Sequence, residues 1–217
     1  MNLDTPSDHI NIIALYVALG LLPLAMVMLT SFTKISIVLS LLRNALGVQQ
    51  VPSNLVIAGL SLAATFVIMQ PVGQEIASRV DLDQTLRGRK PLSVALIIEQ
   101  AGDPVKKFLH TNAKPSERDF FAKALRSQRG EANIDEMSFS VLIPAFVISE
   151  IGAAFEIGFL LYLVFAIVDL VVANVLMAMG MTMFAPTVIS IPLKLLVFVA
   201  ASGLPRLMHS LVLSYTT

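Results

Sequence analysis

The sequence predicts an all-α chain in which apolar helical hairpins flank a small, polar, helical insert. Three observations carry that expectation. The 217 residues are 56% hydrophobic and only 14% charged, against about 25% charged in a typical soluble domain. The charge is unevenly placed, because residues 73–138 hold 11 of the 15 basic and 10 of the 15 acidic residues. The flanks instead carry uncharged apolar runs long enough to be buried helices. The chain therefore divides into N-terminal apolar helices over 1–72, a polar insert over 73–138, and C-terminal apolar helices over 139–217 with a methionine-rich loop.

Ile10 to Leu29 is 20 residues without a charge, about the length needed to cross ~30 Å of hydrocarbon. Pro23 should kink it, which membrane helices tolerate. Asp4 and Asp8 precede the run with no Lys or Arg. A cleavable signal peptide needs a basic start, so the run is expected to be retained. Ile35 to Leu42 reads as helix, and Lys34 and Arg43 beside it are the only charges between the first two apolar runs. The positive-inside rule puts this connection on the cytoplasmic side, and the N-terminus and insert outside. Leu55 to Val72 is the second long run, with Gly59 and Ala63 spaced for close helix contact.

The insert is expected to be helical. Asp103 followed by Pro104 reads as an N-cap with proline at the first helical position, ahead of Val105, Phe108 and Leu109 on one face. Ser116 with Asp119 reads as a capping-box start before Phe120, Phe121, Ala124 and Leu125. Its alternating charges describe a solvated face.

Beyond the insert, Val141 to Val172 and Val188 to Ala201 supply the third and fourth apolar helices. Glu150, Glu156, Asp169 and Lys194 interrupt them. A charge at a bilayer centre costs roughly 2.5–3.5 kcal/mol on insertion scales, so such charges must pair within a bundle or face other protein. Lys34, Arg43, Glu150, Asp169 and Lys194 are accordingly candidate structural charges, making ion pairs between helices or subunits.

Met177, Met179, Met181 and Met183 alternate between these two helices, with Gly180 inside the run and Phe184 and Pro186 after it. Residues two apart on a helix point in nearly opposite directions, so only an extended or looped backbone would turn all four toward one space. Methionine also serves as an ordinary gap-filler in helix packing. Repeated around an axis, however, a loop of flexible apolar side chains would close a pore, since hydrophobic constrictions are a gating device.

Several function classes fall away. The 15 basic and 15 acidic residues cancel, which removes the electrostatic case for nucleic acid. The chain has no cysteine, so thiol chemistry and disulfides are absent. His9, His110 and His209 lack a second ligand at helical spacing. No nucleophile elbow or phosphate-cradling glycine loop occurs. We expect no enzyme activity, no metal and no cofactor. The rival from a different class is a self-contained membrane transporter using the buried charges as an ion path.

Several segments in order resemble the SctR/FliP family: Thr30 to Lys34 (TSFTK), Arg43 to Pro52 (RNALGVQQVP), Pro144-Ala145-Phe146 with Ser149-Glu150, and Ala154-Phe155 with Ile157-Gly158-Phe159. Asp169 to Asn174 (DLVVAN), Leu176 to Met181 (LMAMGM) and Ile191-Pro192 with Lys194 continue the match. The resemblance implies a non-enzymatic, inner-membrane subunit of the type III secretion export gate. It implies a homo-oligomer, a pentamer, winding with SctS/FliQ-like and SctT/FliR-like subunits into a cone that projects toward the periplasm. Unfolded protein substrates would pass down its axis. Met181, Thr182, Met183 and Phe184 match the family's pore gasket, with Met177 and Met179 placed at the pore or in helix packing.

The chain also departs from the family pattern. Thr182 interrupts the consecutive methionines of the gasket. Ile151-Gly152 stands where Leu-Lys is usual, and the chain lacks the tryptophan expected near Ser202-Gly203-Leu204. The VQQVP and DLVVANVLMAMG wording, with the absence of a signal peptide, favours an injectisome over a flagellum.

Overall fold

The computed structural model describes residues 6–48, 50–79, 94–129, 135–181 and 183–215. All regular structure among them is helical, in chain order α1 (Pro6–Leu29), α2 (Phe32–Leu46), α3 (Asn54–Arg79), α4 (Val94–Asn112), α5 (Pro115–Arg129), α6 (Phe139–Ala178), α7 (Thr187–Ala200) and α8 (Gly203–Leu213). By length and composition α3 and α6 can each cross a membrane, and up to four spans result if two broken helix pairs each count as one. The break between α7 and α8 bends that pair by 59°.

The chain forms two compact units that interleave along the sequence. One comprises the described parts of 6–31 and 68–149. Its core lies where α4, α5 and the start of α6 meet, around Phe108, Leu109, Ala122, Val141, Leu142 and Phe146, all almost removed from solvent. The Phe108 and Phe146 rings stack at a tilt with centroids 5.6 Å apart. At its surface Arg79 joins Glu75 one turn back on α3 and Asp103 on α4, at 2.8 and 3.1 Å.

Two expectations for the insert are corrected here. Asp103 is not an N-cap, because α4 begins at Val94 and carries Pro104 inside it. A proline there removes one backbone donor. Pro104 is fully buried, and it sits in the same core as Phe108 and Leu109 on the turn that follows. Likewise Ser116 does not cap α5. The helix starts one residue earlier at Pro115, and the Lys114 carbonyl accepts from the N–H groups of Glu117 and Arg118 at 3.1 and 3.2 Å. Proline at the first helical position gives up a donor that would be unsatisfied anyway. Lys114 is fixed in turn by donating its own N–H to Ser149 Oγ at 2.9 Å.

The other unit comprises the described parts of 32–67 and 150–215. Ile35, Val38, Leu39, Leu42, Ala45 and Leu46 recur on one face of α2 and are buried, the pattern of an amphipathic helix. Gly158 of α6 lets α2 approach closely, since a Cβ there would meet the Leu41 side chain. Gly203 similarly leaves room for the Phe198 ring, which packs edge-on to Phe165 with centroids 6.2 Å apart. Much of the apolar surface remains uncovered. Phe155, Phe159, Leu163, Leu170 and Val175 along α6, and Leu196 and Val199 on α7, are exposed. So many exposed large apolar side chains on two helices suit a surface that meets lipid or other protein.

Candidate functional site

The connection from α6 to α7 is built by a helix stop and a helix start. Gly180 takes φ 75°, the left-handed conformation in which a side chain is strained. Its N–H bonds the Met177 carbonyl and the Met181 N–H reaches the Leu176 carbonyl, each at 3.0 Å. This is a Schellman ending, which satisfies the last carbonyls of the helix. The Phe184 N–H then bonds the Met181 carbonyl at 3.2 Å and closes a tight turn. The Pro186 carbonyl accepts from Ile189 and Ser190 to open α7.

The methionines therefore do not form one extended run. Met177 lies within α6, and the Met179 N–H continues the helical ladder to Val175 at 3.0 Å. The period-of-two argument fails for these two because the helix persists until a residue that can adopt positive φ. Only from Gly180 onward does the backbone loop. Met181, Met183 and Phe184 are exposed on that loop, Met183 fully so, and Met177 and Met179 are exposed on the helix end. Thr182 lies outside the described residues.

The candidate charges fall into separate constellations. Lys194 on α7 places Nζ 2.5 Å from Asp169 Oδ2 on α6 and 3.3 Å from the Ala45 carbonyl at the end of α2. One ammonium thus joins three helices. The Lys194 side chain is 7% exposed, but Asp169 is 46% exposed. Lys34 on α2 pairs with Glu150 on α6 at 3.3 Å, with both side chains buried. Tyr215 completes this cluster, donating its hydroxyl to Glu150 Oε2 and laying its ring 3.7 Å from Lys34 Nζ. Arg43 is different, since its Nη1 donates to the Pro52 carbonyl at 3.2 Å and to Asn54 Oδ1 at 2.7 Å.

Tyr215 was not singled out from the sequence. Its role depends on a fold that returns the residue just after α8 to α2 and α6, and no local spacing encodes that. Among the described residues no group of three His, Cys, Asp or Glu side chains is arranged to hold a metal. Chemically the arrangement offers buried ion pairs that fasten helices and an exposed apolar turn.

The FliP family model matches residues 15–211. The chain is 43% identical over 214 residues to the hypersensitivity response secretion protein HrcR of Ralstonia nicotianae, covering 96% of this chain and 98% of the relative. It is 42% identical over 211 residues to Yop proteins translocation protein R of Yersinia pestis, covering 96% and 97%. Against the flagellar biosynthetic protein FliP of Pectobacterium carotovorum it is 39% identical over 206 residues, covering 95% of this chain and 78% of the relative.

Proposed function

This chain belongs to the FliP family, and from that premise we propose that it is a core subunit of a type III secretion export gate in the bacterial inner membrane. Copies of it assemble with SctS/FliQ-like and SctT/FliR-like subunits around a central path for unfolded protein. The insert lies on the periplasmic side. Met181, Thr182, Met183 and Phe184 form the gasket that closes the path at rest, with Met177 and Met179 on the adjoining helix ends.

The observation that carries this reading is the turn after Gly180. It exposes Met181, Met183 and Phe184 while the helices on either side are fastened by the Lys194–Asp169 pair at 2.5 Å. A lone subunit gains nothing by presenting such side chains to water. Placed around an axis, they supply a flexible apolar seal that excludes ions and yields to a polypeptide. The paired charges act as fasteners and not as an ion path.

The test is the mass of the detergent-purified assembly, co-expressed with its neighbouring membrane genes. A ring-sized complex holding several copies and two smaller hydrophobic partners supports the gate. A stable monomer or dimer without partners contradicts it and returns the charges to a transporter.

A further inference from the structure

The α2–α3 connection carries a polar cleft and an apolar slot that share one residue. The cleft, of about 700 Å³, is lined by Arg43, Asn44, Gly47, Gln50, Ser53 and Asn54. The slot, of about 180 Å³, runs between Leu39, Leu42, Val56, Leu60, Phe198 and Leu204. Arg43 borders both and is the only charged side chain in either lining.

Among the described residues Arg43 donates only through Nη1, to the Pro52 carbonyl and to Asn54 Oδ1. Among the described residues no carboxylate pairs with it. Its remaining donors are free for an anion, and the two hydrogen bonds already formed hold the guanidinium in place. The slot wall is equally fixed, because Phe198 packs on Phe165 and over Gly203.

We propose that Arg43 and the slot beside it bind an anionic phospholipid, the phosphodiester on the guanidinium and one acyl chain in the slot. This rests on the membrane placement proposed above. An acyl chain needs no hydrogen bonds, and the slot offers none beyond Arg43 at its mouth. A helix about 10 Å across would not enter it, and an extended peptide would leave backbone groups unpaired inside it. One guanidinium matches the single charge of a phosphodiester and forms charge-assisted bonds with it. Basic pockets between membrane helices recognise anionic headgroups by the same chemistry.

The test uses the co-expressed complex, delipidated in detergent and titrated under native mass spectrometry with phosphatidylglycerol, phosphatidylcholine or inorganic phosphate. Phosphatidylglycerol should be retained about tenfold more tightly than phosphatidylcholine, and inorganic phosphate should not be retained. Arg43→Gln should erase the preference between the two lipids. Leu60→Phe, which narrows the slot and leaves the charge, should weaken both lipids. Equal retention of both lipids, unchanged by either substitution, overturns the proposal. So does phosphate binding that matches the lipid, which would make this an anion site without an acyl slot. If the substitutions instead lower the number of copies per assembly at unchanged lipid content, the cleft is a subunit contact and the proposal fails. The same spectra report assembly mass separately. An intact assembly without selective lipid refutes this site alone, whereas loss of the assembly with lipid still bound to the subunit refutes the gate.

Discussion

Lys34 on α2 reaches Glu150 on α6 with Nζ 3.3 Å from Oε1, and the two side chains keep only 7% and 3% of their surface exposed. Such a pair is expensive to break and of small net value when whole, since desolvating two charges offsets most of their attraction. Lys34→Met should therefore destabilise by about 3–5 kcal/mol by stranding Glu150. The double variant Lys34→Met/Glu150→Met should recover most of that loss. Thermal melts of the purified complex check this, and a double variant as unstable as the single would show that the pair contributes net stability.

Lys194 and Asp169 form an unequal pair, because the lysine is buried and the aspartate half exposed. Lys194→Ala removes the contact to Asp169 and the one to the Ala45 carbonyl together, and should block assembly. Asp169→Asn should lower assembly less, since the amide oxygen can still accept from the ammonium. Secretion and assembly should fail in parallel across the two variants. Lost secretion with normal assembly in Asp169→Asn would identify an ion path instead.

Gly158 faces Leu41 so closely that even a methyl group would collide with it. Gly158→Ala should cost about 1–3 kcal/mol through overpacking. Adding Leu41→Ala should restore part of it, a coupling that a double-mutant cycle on melting temperature measures directly. Additive effects would mean that the Leu41 side chain is not what the added methyl meets.

How much of this could be read from the sequence depends on distance along the chain. The apolar helices were legible because their runs are long and uncharged, and the loop at Gly180 because glycine and Pro186 are local signals. For Met177 and Met179 the alternating spacing leaves pore and helix packing both open, because the helix stop is set by the φ of Gly180, which spacing does not reveal. Pro104 was read as a helix start because its compensation is burial, which is non-local. The charges stood out as candidates, but their partners did not: Lys194 and Asp169 are 25 positions apart, and Tyr215 joins Glu150 from the far end of the chain.

In the insert, His110 Nε2 and Arg118 Nη1 are hydrogen-bonded. Arginine can only donate, so the imidazole accepts and is neutral. Burial and then the Arg118 charge lower the His110 pKa below 6.5, with Glu136 opposing. Because the folded value is the lower one, protonation favours the unfolded state, and stability is lost as pH falls from about 6.5 toward the folded value. Protection factors across α5, corrected for the pH dependence of intrinsic amide exchange, should be lower at pH 5.5 than at 7.5, and His110→Gln should flatten that difference. Equal protection at both pH values would contradict the assignment.

A pore sealed by the turn after Gly180 should hold back small ions, and ion conductance across membranes containing the assembled complex reads this out. Met183→Gly, alone and with Met181→Gly, removes side chains that are exposed in the subunit, so assembly mass should be unchanged. Wild-type complexes should stay closed to small ions at rest and the variants should leak, the double more than the single. Assembled double variants that remain as tight as wild type would contradict it.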